Sequence, residues 1–190
     1  MGFAGWIILA AIVLLLVLVG AIYNRLVRLR ALVTEGFSGI TVQLRRRADL
    51  IPNLVETVQG YATHEREVFD EVTARRAEAT NAGSVEATAA ADAQMTGLLG
   101  RLFAVAEAYP ELKANTNFLQ MQDQLASIEG ELQSARRYYN ATVRDLNTGI
   151  QSFPAVLIAR PMGFTEEPSY QDEDPAIQSA PKVSFAHPAA

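Results

Sequence analysis

Residues 2–24 hold no ionisable side chain, and within them IILAAIVLLLVLVGAI runs apolar without a break. At about 1.5 Å of rise per residue, a helix of this length crosses a hydrocarbon layer of roughly 30 Å. Residues 1–23 are therefore expected to form a transmembrane anchor. Trp6 and Tyr23 bracket the segment at the depth where amphipathic rings favour the membrane–water boundary, and both are candidate interface residues. Arg25, Arg28 and Arg30 follow at once, whereas no basic side chain precedes the apolar run. The positive-inside bias then places the amino end outside and everything after Tyr23 in the cytoplasm, with Arg25 and Arg28 at the lipid surface. The competing reading is a cleaved signal peptide, because Val19-Gly20-Ala21 loosely resembles a small-residue cleavage site. Against it stand the missing basic leader, the length of the run and a helical pattern that continues through the supposed cut. The absence of cysteine fits a reducing compartment.

Beyond the anchor, apolar residues keep stepping by three and four. Leu26, Leu29, Val33, Phe37, Ile40 and Leu44 make one stripe, and Ile51, Leu54, Val58, Val68 and Val72 continue a second. A third, through Val85, Ala89, Met95, Leu98, Leu102 and Val105, crosses an alanine-rich stretch with high helix propensity and little bulk. The fourth is the clearest: Phe118, Met121, Leu125, Ile128, Leu132, Ala135, Tyr139, Thr142, Leu146 and Ile150 form a coiled-coil-like seam. Breaks fall at NAGS, where Ser84 is a helix N-cap, and at YPELKAN, residues 109–115. No strand pattern is present. The expected fold is all-α: the anchor continues into an antiparallel up-down bundle over residues 24–164, followed by an acidic, proline-rich disordered tail over 165–190.

The stretch RRRADLIPNLVETVQGYA, residues 45–62, carries a proline inside an apolar helical pattern. Asp49 is a suitable N-cap, which would put Pro52 in a first helical turn where its missing N–H does no harm. The expected outcome is a helical hairpin tip at Arg45, Arg46 and Arg47. These three cations either offset the negative end of the preceding helix dipole or form a docking patch for an acidic partner. A helix from the membrane to Arg47 spans about 37 Å, beyond screening range of the bilayer, so their own membrane is not what they bind. The up-down order returns residues 153–164, FPAVLIARPMGF, to the membrane face. There Phe153, Leu157 and Phe164 either strap the base of the bundle or dip into the lipid interface. YNRLVRL at Tyr23 and YNATVRDL at Tyr139 share YNxxVR, with each tyrosine a candidate to give its ring to the core and each asparagine to satisfy nearby polar groups.

No reaction centre is legible. His64-Glu65 begins like HExxH, but Val68 stands where the second ligand belongs, and His187 lies in the tail. Pairs such as Glu129 and Glu131 sit two apart on a helix and point in different directions. There is no phosphate-cradling glycine loop and no nucleophile elbow, so neither catalytic residues, cofactor, metal nor small-molecule substrate is expected. Of the formal net charge of −5, −4 lies from Pro161 onward, where Glu166, Glu167, Asp172, Glu173 and Asp174 outnumber Lys182; the remainder, at −1, has no field for nucleic acid.

YNRLVRL, VQLRRRADLIPNLVETVQGYATHE, YPELKAN, ARRYYNATVRDLN and SFP with Gly163-Phe164 together resemble the LemA family of bacterial membrane proteins, over about residues 23–164. The resemblance implies an N-terminal membrane helix with its amino end outside, a cytoplasmic helical bundle and residence in the bacterial cytoplasmic membrane. It brings no defined activity, although a relative in magnetotactic bacteria is implicated in forming the magnetosome membrane. Phe37 and Thr41 stand where family members are expected to carry Trp and an acidic residue. The functional expectation is a non-enzymatic membrane scaffold that self-associates through its bundle, with the lipid bilayer and a second copy as partners. The alternative is an adaptor for another membrane protein, such as a protease or an envelope-stress component.

Overall fold

The computed structural model describes residues 2–62, 66–80 and 83–170. Its elements are α1 (Phe3–Gln59), α2 (Arg66–Thr80), α3 (Val85–Glu107), the short α4 (Pro110–Lys113) and α5 (Thr116–Gln151), followed by a 3₁₀ turn at Ala155–Leu157. The described residues contain no strand, and the all-α architecture is as the periodicity predicts.

The hairpin tip expected at residues 45–49 is not there. α1 runs for 57 residues with Pro52 in its interior, so the two predicted stripes are one, buried from Leu26 through Leu44, Ile51 and Val58. An internal proline removes the hydrogen bond to the carbonyl four residues earlier, a defect worth about 3 kcal/mol. That carbonyl belongs to Ala48, and the Arg76 Nε–H of α2 donates to it at 2.9 Å. A side chain 28 residues away supplies the donor that Pro52 lacks. The chain leaves the helix at Gly60, twelve residues after Ala48, so the bundle is longer than expected while each later helix keeps its expected direction.

α1 and α5 lie antiparallel along their lengths. They come close at Gly36, where a Cβ would lie 3.1 Å from the Tyr139 Cα. Nearer the amino-terminal span, Gly149 lies against Leu26 and Leu29. α2 and α3 pack on the far half of this pair, and two apolar clusters result. The distal one joins Ile51, Leu54, Val58, Phe69, Val72, Leu99, Leu102, Leu112 and Phe118; the proximal one joins Leu26, Ile40, Leu132, Tyr139, Leu146, Phe164 and Tyr170. Every residue of the seam read from the sequence on α5 is buried except Ala135, which is half-buried. Ser84 caps α3, its Oγ accepting from the Ala87 N–H at 3.1 Å, and Asn115 caps α5 by accepting from Asn117 and Phe118.

After α5 the chain turns tightly at the base. Gly163, at φ +82°, adopts the left-handed conformation that glycine alone takes without strain, and it turns Phe164 inward. Residues 165–170 then run back along α5. The disorder expected from Glu166 does not hold for them, because side chains of α5 bind their backbone. The predicted tail from 171 onward lies outside the described residues, as does His64.

Candidate functional site

Between the two apolar clusters sits a layer of charge. Asp92 projects from the alanine-rich α3 and is 2% exposed. Its Oδ1 accepts from Arg47 of α1 at 3.0 Å; its Oδ2 accepts from Arg136 of α5 and, at 2.9 Å, from the Tyr170 hydroxyl. Glu129 flanks both guanidiniums, 3.5 Å from Arg47 and 3.9 Å from Arg136. The Arg136 guanidinium also lies 5.5 Å from the centroid of the Tyr170 ring. Among the described residues two cations thus meet two carboxylates, and pairing of this kind offsets part of the cost of burying the ions. The Tyr170 hydroxyl is strongly disfavoured from ionising, first by burial and then by the charge of Asp92 and the hydrogen bond to it, with Arg136 acting in the opposite sense.

Asp92 spends its lone pairs on three donors from three separate segments, α1, α5 and the carboxy-terminal strap. The layer is therefore a register device: it accepts one sliding position of each segment. Beside it, α3 and α5 part to leave a cleft of about 400 Å³ lined by Leu99, Phe103, Leu125 and Ala126, with Arg47 and Glu129 in its walls. Among the described residues, no three histidines, cysteines or carboxylates are placed to hold a metal ion.

The strap is held by two asparagines seven apart on α5. Asn147 donates to the Glu167 carbonyl at 2.9 Å and accepts its N–H at 3.0 Å. Asn140 does the same to Tyr170, at 3.0 and 2.8 Å. Each side-chain amide imitates a strand partner. Between them the Tyr139 hydroxyl donates to the Pro168 carbonyl at 2.9 Å. Burial first, and then Glu167 and Glu86, push the Tyr139 pKa up to about 12. This is the role that the YNxxVR echo suggests for Tyr139 and Asn140. Tyr23, by contrast, stays half-exposed with its ring edge-on to Phe164 at 5.6 Å, and Asn24 is exposed.

The predicted site residues scatter. Of the arginine cluster, Arg45 is exposed, Arg46 makes a surface pair with Glu131 at 2.7 Å, and Arg47 is buried in the charged layer, so the three do not share one surface. Trp6, Tyr23, Arg25 and Arg28 lie exposed along α1. Phe153 and Leu157 are exposed at the base, while Phe164 is buried and does not reach the lipid side, because its ring completes the proximal core. Glu129 and Glu131 point to different arginines, as their spacing requires. Phe37, in the place where Trp was expected, packs at 5.9 Å on Tyr139, and Thr41 bonds back to the Ser38 carbonyl at 2.9 Å. Sequence reading missed Asp92, Arg136, Tyr170 and Asn147, whereas the YNxxVR echo had named Asn140. The one signal available was an aspartate in mid-helix among alanines, a position of poor helix propensity.

The sequence model of the LemA family matches residues 36–185. The chain belongs to the LemA family. The charged layer, both asparagine clamps and the strap all fall within the matched span, so what this LemA chain shares with its family includes the segment that composition alone reads as a tail. Relatives include the magnetosome protein MamQ of Magnetospirillum gryphiswaldense, 26% identical over 165 residues, covering 73% of this chain and 60% of that protein. Magnetosome protein MamQ 2 of Paramagnetospirillum magneticum is 25% identical over 177 residues, covering 80% and 65%. Protein LemA of Metamycoplasma hominis is 26% identical over 132 residues, covering 68% and 60%. The matched region thus spans 60% to 65% of the length of these relatives.

Proposed function

We propose that this LemA-family chain is a non-enzymatic, membrane-anchored scaffold that self-associates and organises the bilayer in which it sits. The observation that carries this reading is the continuity of α1. A stretch long and apolar enough to cross a membrane, none of it buried within the molecule, passes into the bundle without a break. Any tilt of the span is therefore imposed on the whole bundle, and any lateral packing of bundles is imposed on the spans. The orientation proposed is amino end outside and bundle in the cytoplasm of a bacterial cell, from the arginines that follow Tyr23. The similarity to magnetosome proteins, by name constituents of a specialised organelle, supports a structural role. The charged layer supports it too, since the buried Asp92 is bonded by Arg47, Arg136 and Tyr170 of the same chain.

Light scattering of the detergent-solubilised full chain tests the reading: a concentration-dependent assembly is expected, and a monomer across the micromolar range would overturn it. A second reading, an adaptor for another membrane protein, is favoured by Arg45, which remains on the surface. Crosslinking in cells from position 45 separates the two, giving self-linked product for the scaffold and a foreign protein for the adaptor.

A further inference from the structure

The base of the bundle carries apolar side chains that its own fold does not use. In residues 153–164, Ala155, Ala159 and Phe164 turn into the core, whereas Phe153 is 81% exposed, Leu157 65% and Val156 46%. The backbone there is firmly built, with the Ala159 N–H bonded to the Ala155 carbonyl at 2.8 Å and the Phe164 N–H to the Ala159 carbonyl at 3.0 Å. The outward set is thus presented by a fixed turn. Leaving a large apolar side chain in water forgoes the free energy of burying it, and several gathered on one short turn mark a contact surface.

Position identifies the occupant. The turn sits where α1 emerges from its apolar span, because Phe164, at the end of the turn, has its ring edge-on to Tyr23 at 5.6 Å. The exposed apolar surface of α1 up to Ala21 and that of the turn are therefore neighbours at one end of the molecule. Charge agrees. No carboxylate occurs between Asp145 and Glu166, and exposed Arg160 on the turn joins exposed Arg25 and Arg28 on α1.

We infer that Phe153, Val156 and Leu157 insert into the headgroup–acyl boundary of the leaflet from which α1 emerges, with Arg160 at the anionic headgroups, giving the bundle a second membrane contact. This rests on the proposed anchoring of α1. Two contacts on one body restrict its tilt, whereas a lone span leaves the bundle free to rock.

Trp6 is the chain's one tryptophan, so fluorescence reads the two contacts separately. The full chain is reconstituted into phosphatidylcholine–phosphatidylglycerol vesicles whose acyl chains carry bromine near the headgroup or near the chain end. One sample is the native chain, reporting Trp6; the other combines Trp6→Phe with Leu157→Trp, an exposed position that accepts the larger ring. Expected for position 157 is a blue-shifted emission, quenched more by the shallow bromines than by the deep ones. Quenched Trp6 with a red-shifted, unquenched position 157 would overturn the second contact and leave the anchor standing. A blue-shifted but unquenched position 157 would also overturn it, showing burial against protein. An unquenched Trp6 would remove the anchor and this inference together.

Discussion

The two halves of the bundle reach closure by different means. In the distal half five helical segments, the short α4 among them, surround one another, and the core around Leu54, Val58, Leu102 and Phe118 is apolar throughout. In the proximal half α1 and α5 face each other, α3 reaches them with its first turns at Val85 and Ala89, and among the described residues the rest of the gap is closed by residues 159–170, held through Asn140, Asn147 and Tyr139. A helix can close a core by periodicity alone. A non-helical strap has unsatisfied backbone groups along its whole length, so it is seated only where side-chain amides stand in for a missing strand. The charged layer of Arg47, Asp92 and Arg136 lies where one solution gives way to the other.

The largest expected effect comes from removing the carboxylate at that boundary. Asp92→Leu takes from the buried Arg47 and Arg136 the carboxylate that both of them bond, and a loss of about 3–5 kcal/mol in denaturant unfolding is expected. Replacing all three together, as Arg47→Met, Asp92→Leu and Arg136→Met, should restore most of that stability, because no fully buried ion is then left unmatched and Glu129, 35% exposed at its side chain, can turn to solvent. If the single and triple variants were equally destabilised, the layer would be a packing feature instead of an electrostatic one. Arg46→Ser, which breaks the exposed pair with Glu131, should cost about 0–1 kcal/mol in the same measurement.

Next in size is release of the strap. Asn140→Ala with Asn147→Ala removes four hydrogen bonds to the backbone of Glu167 and Tyr170, and at about 0.5–1.5 kcal/mol each the strap should detach before the helices melt. Limited proteolysis near Thr165 should accelerate while amide exchange in α2 and α3 stays unchanged. Equal loss of protection in both halves would show that they are one cooperative unit.

A smaller effect, about 1–3 kcal/mol, is expected for Arg76→Leu, which leaves the Ala48 carbonyl without its donor. In a Pro52→Ala background the backbone N–H returns to that carbonyl, and the same arginine substitution should then cost much less. This pair of changes also shows what was legible in the sequence. The stripe on α5, the N-cap at Ser84 and the apolar span were readable because each is decided by residues within a turn or two. Pro52 was not: a proline in a first turn and one in an interior look alike locally, and the deciding donor lies on another helix. Asp92 was missed for the same reason, its partners standing 45, 44 and 78 residues away. Residues 165–170 were misread as part of the tail because nothing in their own composition announces the asparagines that hold them.

The last contrast between the halves is one of pH, and at neutral pH its effect is nil. The proximal core contains two buried tyrosines, Tyr139 and Tyr170, whose hydroxyls donate to the strap and to Asp92; the distal core contains no fully buried tyrosine. An unfolded tyrosine ionises near pH 10, whereas Tyr139 in the folded chain does so only at about 12, and Tyr170 is also raised. Between those values the unfolded chain has already released a proton that the folded chain retains, so stability falls as pH rises. The Tyr139 contribution is constant below about pH 10, where both states hold the proton, and declines from there through about 12. Tyrosinate absorbance and strap release should therefore rise together in this window, ahead of distal amide exchange. Tyr170→Phe should remove part of the pH slope while losing the hydrogen bond to Asp92. An alkaline transition that opened α2 and α3 at the same pH as the strap would mean that the two halves are not independently closed.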